Sequence, residues 1–324
     1  MRIDSLTYFS ASLAGMRDNQ AAIARLNQQI ASGKSLLAPK DDPLATERIL
    51  DLSNRVAART QFTANQDMAE VALKYENTVV QEIHNVLTQA RGLLAGAIGS
   101  QDTILLNVHA QQLRGVFNHL LGLVNTRNPS GDYIFSGFNT TTQPFANAGN
   151  GAATTYAGTP SPGGTRNIEI EVGRQVQVND NIYSVFKFVD ATLGDTADPT
   201  ADPGNLAYVA GTEHDLLRNL GHAVANLGSG TLTATDINKY VALVDAAMAR
   251  LDLVEHRIAG ALTEVIDTRA TTKAQMVQET NALGDLQQVD QAAAIMELKI
   301  RQTTLEAASN AYARTSGLSL FSYL

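Results

Sequence analysis

The chain contains no cysteine and no tryptophan. The first absence excludes disulfide staples and thiolate metal sites, and it suits a protein that passes through or works in an oxidising space. No apolar run approaches the roughly 20 residues that a membrane-spanning helix requires; the most apolar stretch, Gly92 to Gly99, is far shorter. A cleavable secretion signal is also missing, because Arg2, Asp4, Arg17 and Asp18 interrupt the region where its apolar core would sit. This leaves a cytoplasmic protein or one exported by a route that reads an uncleaved N-terminus. Positive charge is in deficit: 24 Lys and Arg against 32 Asp and Glu give a formal charge of -8, which argues against nucleic acid or an anionic membrane as the main partner.

Catalytic constellations are absent too. The six histidines, His84, His109, His119, His214, His222 and His256, form no His-x-x-x-His pair and no HExxH motif, and each reads as a surface or helix-flank residue. Ser184 and Lys187 have SxxK spacing but lie in a strand-like run without the accompanying SDN or KTG elements. Neither GxGxxG nor GxxxxGK[ST] occurs, and the Gly149, Gly151, Gly158, Gly163 and Gly164 cluster reads as a loop. Asp41 and Asp42 lack further carboxylates at ligand spacing, so a helix cap explains them better than a cation. The residues thus indicate a protein that is not an enzyme and has no cofactor or metal.

Proline is missing from the final 121 residues, Gly204 to Leu324, and the N-terminus also reads as an uninterrupted amphipathic helix. A three-four spacing picks out Leu6, Phe9, Leu13, Met16, Gln20, Ile23, Asn27 and Ile30, six of the eight apolar. Toward the other end Ile295, Leu298, Gln302, Leu305, Ser309 and Tyr312 repeat the spacing more weakly. One such seam buries too little apolar surface to offset the entropy of ordering its helix, and zipping the two ends together makes a thin pair rather than a core. Two readings follow: both helices pack onto the body of the same molecule, or they order fully only inside a polymer. In the second, polar Gln20, Asn27, Gln302 and Ser309 fix register.

Between the ends, SGKSLLAPKDDP (Ser32 to Pro43) makes a bend, with Asp42 and Pro43 as N-cap and first turn of a helix reaching about Ile98. That helix shows Ile49, Leu52 and Val56 on one face and Met68, Ala72, Tyr75, Val79, Ile83, Val86 and Leu93 on another, so a stutter or short break is expected at Gln61 to Asp67. Asp102 caps a further helix through Leu105, Val108, Leu113, Val116, Leu120 and Val124. The middle changes character: five of the eight prolines lie between Pro144 and Pro203, and eight of the eighteen aromatics between Tyr133 and Phe188. Ile168, Ile170 and Val172 alternate with Glu169 and Glu171, Gly173-Arg174 is a plausible turn, and Val176 and Val178 alternate in a returning strand. Helix resumes near Glu213, and from Thr233, positioned to cap the turn holding Asp236, it runs through Val244, Leu251, Ile258 and Ile266 toward the C-terminal seam. The expected fold is mainly α with a small β insert, nested so that both ends meet, and the insert is expected to be an appendage whose boundary few contacts cross.

SGKSLLAPKDDP, the segment GDYIFSGFNTTTQPF (Gly131 to Phe145) and the ending SGLSLFSYL (Ser316 to Leu324) together resemble the flagellin-like family of bacterial flagellar filament and junction proteins, the last two its hook–filament junction members. The resemblance implies a secreted structural protein of the extracellular flagellum, serving motility and exported through the flagellar type III apparatus. It implies terminal coiled-coil helices (1–40 and 285–324), a helical body (41–136 and 212–284) and an outer β-rich domain (137–211). Its implied partners are hook-associated protein 1, flagellin, copies of itself in a ring, and a flagellar export chaperone at the C-terminal helix. The implied assembly interface combines the apolar seam positions Leu6, Phe9, Leu13, Met16, Ile23, Ile30, Ile295, Leu298, Leu305 and Tyr312 with Leu318, Leu320 and Phe321. A flagellin filament subunit is the alternative, distinguished by unaided growth into long filaments. An effector or enzyme with its site in the β insert is the remote one, distinguished by a pocket with convergent polar groups.

Overall fold

The computed structural model describes residues 2–147, 154–157, 164–188 and 214–321. Its helices are α1 (Arg2–Ser32), α2 (Pro43–Ala97), α3 (Thr103–Val124), α4 (Tyr183–Phe186), α5 (Leu216–Asn226), α6 (Ala234–Gln287) and α7 (Gln291–Phe321). Its strands are β1 (Phe145–Asn147), β2 (Thr154–Tyr156), β3 (Asn167–Glu171), β4 (Arg174–Gln177), β5 (Lys187–Phe188) and β6 (His214–Asp215), paired antiparallel as β1–β2, β3–β4 and β5–β6. Contacts divide the chain into two compact units, Met1–Thr60 with Lys273–Leu324, and Gln61–Thr272.

In the first unit α1 pairs with α7. The bend after α1 is clasped to the break before α7: Ser35 N donates to Gln287 O at 2.8 Å, Ser35 Oγ to Leu286 O at 3.0 Å, and Val289 N to Gly33 O at 3.0 Å. Gly33 has φ +68, a left-handed conformation that a side chain would strain. Asp42 Oδ1 accepts from Ala45 N at 2.9 Å and so caps α2. Asp41 works separately, accepting from Ala38 N at 3.2 Å and pairing with Arg25 at 3.3 Å. Asp290 caps α7 through Ala293 N at 3.0 Å, a helix start that the periodicity did not reveal. The lower part of α2 is tied to α6 by Arg59, which donates to Glu279 Oε2 at 2.6 Å and Gln275 Oε1 at 2.6 Å.

The second unit holds the main core. Leu73, Val80, Ile83, Leu87 and Leu94 of α2, Leu113 and Leu120 of α3, Leu217 and Leu220 of α5, and Val244, Leu251 and Ile258 of α6 are all buried within it. Arg91 bonded to Asp245, Arg257 near Glu76, and Arg269 bonded to Asp67 and Glu70 mark an antiparallel course of α2 against α6. Asp102 caps α3 through Ile104 N and Leu105 N, and Thr233 Oγ1 accepts from Asp236 N at the start of α6 while Asp236 Oδ2 accepts from Thr233 N, a reciprocal box.

Several sequence expectations change. Neither a break nor a change of phase occurs at Gln61 to Asp67: α2 is continuous, and its less exposed positions keep a seven-residue spacing through Leu52, Arg59, Gln66, Leu73 and Val80, leaving Met68 exposed. On α3 the buried row is Leu106, Ala110, Leu113, Phe117, Leu120 and Val124, so Leu105 and Val108 face outward. The β3–β4 turn is Val172-Gly173, with Gly173 at φ +72, and Val172 is exposed at its tip. His214, far from being a surface residue, is buried beside Phe188, its ring 5.8 Å away.

The largest correction concerns the insert. Residues 164–188 are built into the body: Ile170, Val176, Val178, Ile182, Val185, Phe186 and Phe188 belong to the same core cluster as the helices. Gln66 Nε2 donates to Ile170 O at 2.8 Å and Asn65 Nδ2 to Glu169 O at 2.8 Å. Asn125, at the end of α3, satisfies both backbone groups of Phe145, whose ring lies 5.0 Å from Tyr156 and 5.5 Å from Phe186. The aromatic enrichment of the middle therefore serves packing onto helices. The glycines at 149, 151, 158 and 163 lie outside the described residues.

Candidate assembly surface on the terminal helices

On α1 the half-buried positions are Ser12, Met16, Asn19, Ile23, Leu26 and Ile30, with Ala22 and Gln29 flanking them. On α7 they are Leu298, Arg301, Leu305, Ala308 and Tyr312, preceded by buried Ala294. Both sets repeat at alternating steps of four and three, the spacing of a coiled-coil seam. Each helix carries one row of large apolar side chains (Met16, Ile23 and Ile30; Leu298, Leu305 and Tyr312) and a second row that is smaller or polar except at Leu26. At the centre Arg301 Nη1 donates to Asn19 Oδ1 at 3.2 Å, while Nη2 is held by Glu297 at 3.0 Å.

The pair is thin. Among the described side chains α1 buries none fully and α7 only Ala294. Half-burial of a short apolar row leaves much of the stripe in water, so the pair has surface to spare for other partners.

Of the predicted interface residues, Met16, Ile23, Ile30, Leu298, Leu305 and Tyr312 meet in this seam. Leu13 does not, remaining 38% exposed, and Ile295 is 52% exposed. The seam shares its large row with the predicted one, but its second row lies one residue earlier, at Ser12, Asn19 and Leu26 and at Ala294, Arg301 and Ala308. Gln20, Asn27, Gln302 and Ser309 are accordingly exposed, and the polar register pair is Asn19 with Arg301. Leu6 and Phe9 lie in α1, and Leu318, Leu320 and Phe321 in α7, with side chains outside the described set.

Sequence reasoning missed Met296 and Ile300, each 66% exposed. They begin a second stripe on α7 that continues through Thr303 and Ala307, again at steps of four, three and four, and border a groove of about 560 Å³ with Asn19, Glu297 and Arg301. The apolar doublet Ile295-Met296 was the available signal, since one seam cannot bury both members.

The bacterial flagellin N-terminal helical region matches residues 3–140, which hold α1, the clasped bend, α2 and α3. The N-terminal part of the chain is thus similar to that of flagellins. The mainly helical fold with a small β insert is consistent with a flagellin-like helical fold. Over 99% of both chains it is 25% identical to flagellar hook-associated protein 3 of Escherichia coli, and 23% identical to that of Salmonella typhimurium, also over 99% of both. The solved structure of flagellar hook-associated protein 3 from Legionella pneumophila superposes with a TM-score of 0.60, at 17% identity, covering 74% of this chain and 98% of that one. The chain contains, among its described residues, no helix long and apolar enough to cross a membrane.

Proposed function

We propose that this chain is a structural component of the bacterial flagellum that joins the hook to the flagellin filament by polymerising through its terminal helices. The carrying observation is the thin α1–α7 pair, which leaves Leu13, Ile295, Met296 and Ile300 uncovered beside a seam already in use. Helices whose apolar rows exceed what one partner covers are suited to a second partner, and a neighbouring copy presents the same stripes in turn. The full-length likeness to proteins named hook-associated protein 3 supports the junction role. In this reading hook-associated protein 1 lies below the ring and flagellin above it. Residues 1–40 and 285–324 form the inner layer, and 41–136 and 212–284, together with the docked residues 164–188, the next. An export chaperone covers the C-terminal helix before secretion through the type III route.

The test is complementation of a junction-deficient bacterium with Met296→Ser together with Ile300→Ser. The account expects export of the variant, loss of its retention on hooks, and flagellin shed into the medium. Normal filaments would refute it. The match of residues 3–140 to the flagellin N-terminal region keeps a filament subunit as the second reading; growth of the purified chain into long filaments would select it.

A further inference from the structure

We propose that His84, Asp252 and Glu255 form a binding site for one divalent transition-metal ion that staples α2 to α6. Asp252 and Glu255 stand three residues apart on one face of α6, and His84 meets them from α2. His84 Nδ1 lies 3.4 Å from Asp252 Oδ1 and 3.8 Å from Glu255 Oε1. That nitrogen is shielded from solvent and makes no hydrogen bond. The separations are too long for good N–H···O bonds. They match instead the edges of a coordination polyhedron: ligands at about 2.1 Å from a tetrahedral ion stand about 3.4 Å apart, and wider angles give somewhat more.

The donor set defines the ligand class. Two carboxylates neutralise a dication, and an imidazole nitrogen favours zinc, cobalt or nickel over the all-oxygen preference of magnesium and calcium. Fully buried Ile83, Leu87, Leu251 and Ile258 flank the three ligands on the same two helices, so their backbones are held in place. The three side chains remain partly exposed, which gives an ion a path in and leaves its remaining positions to water. The simpler arrangement of the same residues is a histidine beside two carboxylates with no ion between them, and the two differ in their response to metal.

The experiment uses the untagged full-length chain. It is titrated calorimetrically with Zn²⁺, followed spectroscopically with Co²⁺, and melted with Zn²⁺ or with a chelator. The expected result is one ion per chain, visible Co²⁺ bands typical of low coordination, and a higher melting midpoint with Zn²⁺. His84→Gln, which keeps a polar side chain at a half-exposed position, should weaken binding by at least about tenfold with unchanged helicity. Asp252→Asn should weaken it as well, whereas His119→Gln, at an exposed position on α3, should not. Absence of saturable binding, or binding that survives His84→Gln, would overturn the site and leave only the simpler arrangement.

Discussion

Asn19 and Arg301 face each other across the terminal helices, the guanidinium donating at 3.2 Å in a seam whose other row is apolar. A polar pair at such a position costs stability and fixes which residues align. Asn19→Leu combined with Arg301→Leu should therefore raise the helicity and melting midpoint of the terminal pair while admitting wrong registers. Light scattering after gel filtration should then find mixed oligomers where the parent chain gives one species.

The seam also separates neighbouring leucines. Leu26 is half-buried between α1 and α7, whereas Leu13 lies beside the seam. Leu26→Ala should remove about 1–2 kcal/mol, scaled down from a fully buried site, and amide exchange should quicken along α1. Leu13→Ala should leave exchange in the free chain unchanged and reduce only incorporation into the flagellum.

Below the hairpin, Arg257 donates two bonds to Asp180 Oδ2 and approaches Glu76 Oε2, while Glu76 Oε1 accepts from Asp180 N at 2.6 Å. One guanidinium serves two carboxyls. Burial, followed by the charge of Asp180, pushes the Glu76 carboxyl up to about 8, and burial raises Asp180 as well. The folded state therefore holds a proton that the unfolded chain releases near the ordinary 4.5. This contribution to stability is complete below about 4.5 and is lost as pH rises through about 8. Glu76→Gln, which imitates the protonated form, should flatten the dependence of the denaturation midpoint on pH across that window.

Removing the cation has a different effect. Arg257→Met leaves two carboxyls buried without their shared partner and should destabilise the second unit by about 3 kcal/mol, toward the lower end for a broken buried pair because the guanidinium is partly exposed. Urea denaturation measures it. Replacing residues 139–210 by a linker should abolish cooperative melting, because Ile170, Val176 and Phe186 would be taken out of the core.

What the sequence made legible was mostly local. Asp42 with Pro43, Asp102, and Thr233 with Asp236 cap helices through bonds to residues two or three positions away, so their role is written in adjacent letters. The large rows of both seams were equally readable. The second row was not, because Leu13 and Ile295 are more apolar than Ser12 and Ala294, and counting apolar residues favours the wrong neighbour when a helix carries more than one stripe. The docking of the hairpin was hidden for another reason. Gln66, Glu76 and Arg257 read as surface residues until distant partners, Ile170 O, Asp180 N and Gln177 O, satisfy them. His84, Asp252 and Glu255 likewise meet only because α2 and α6 run antiparallel.

The absence of cysteine gives the most direct test of assembly through the terminal helices. In Ile300→Cys the introduced thiol is the only one in the chain, at a position that is 66% exposed. Its rate of reaction with a thiol reagent is measured on the free chain and again on the chain incorporated into isolated hooks and filaments. The account predicts rapid labelling of the free chain and strong protection on the flagellum. Equal reactivity in both would contradict it.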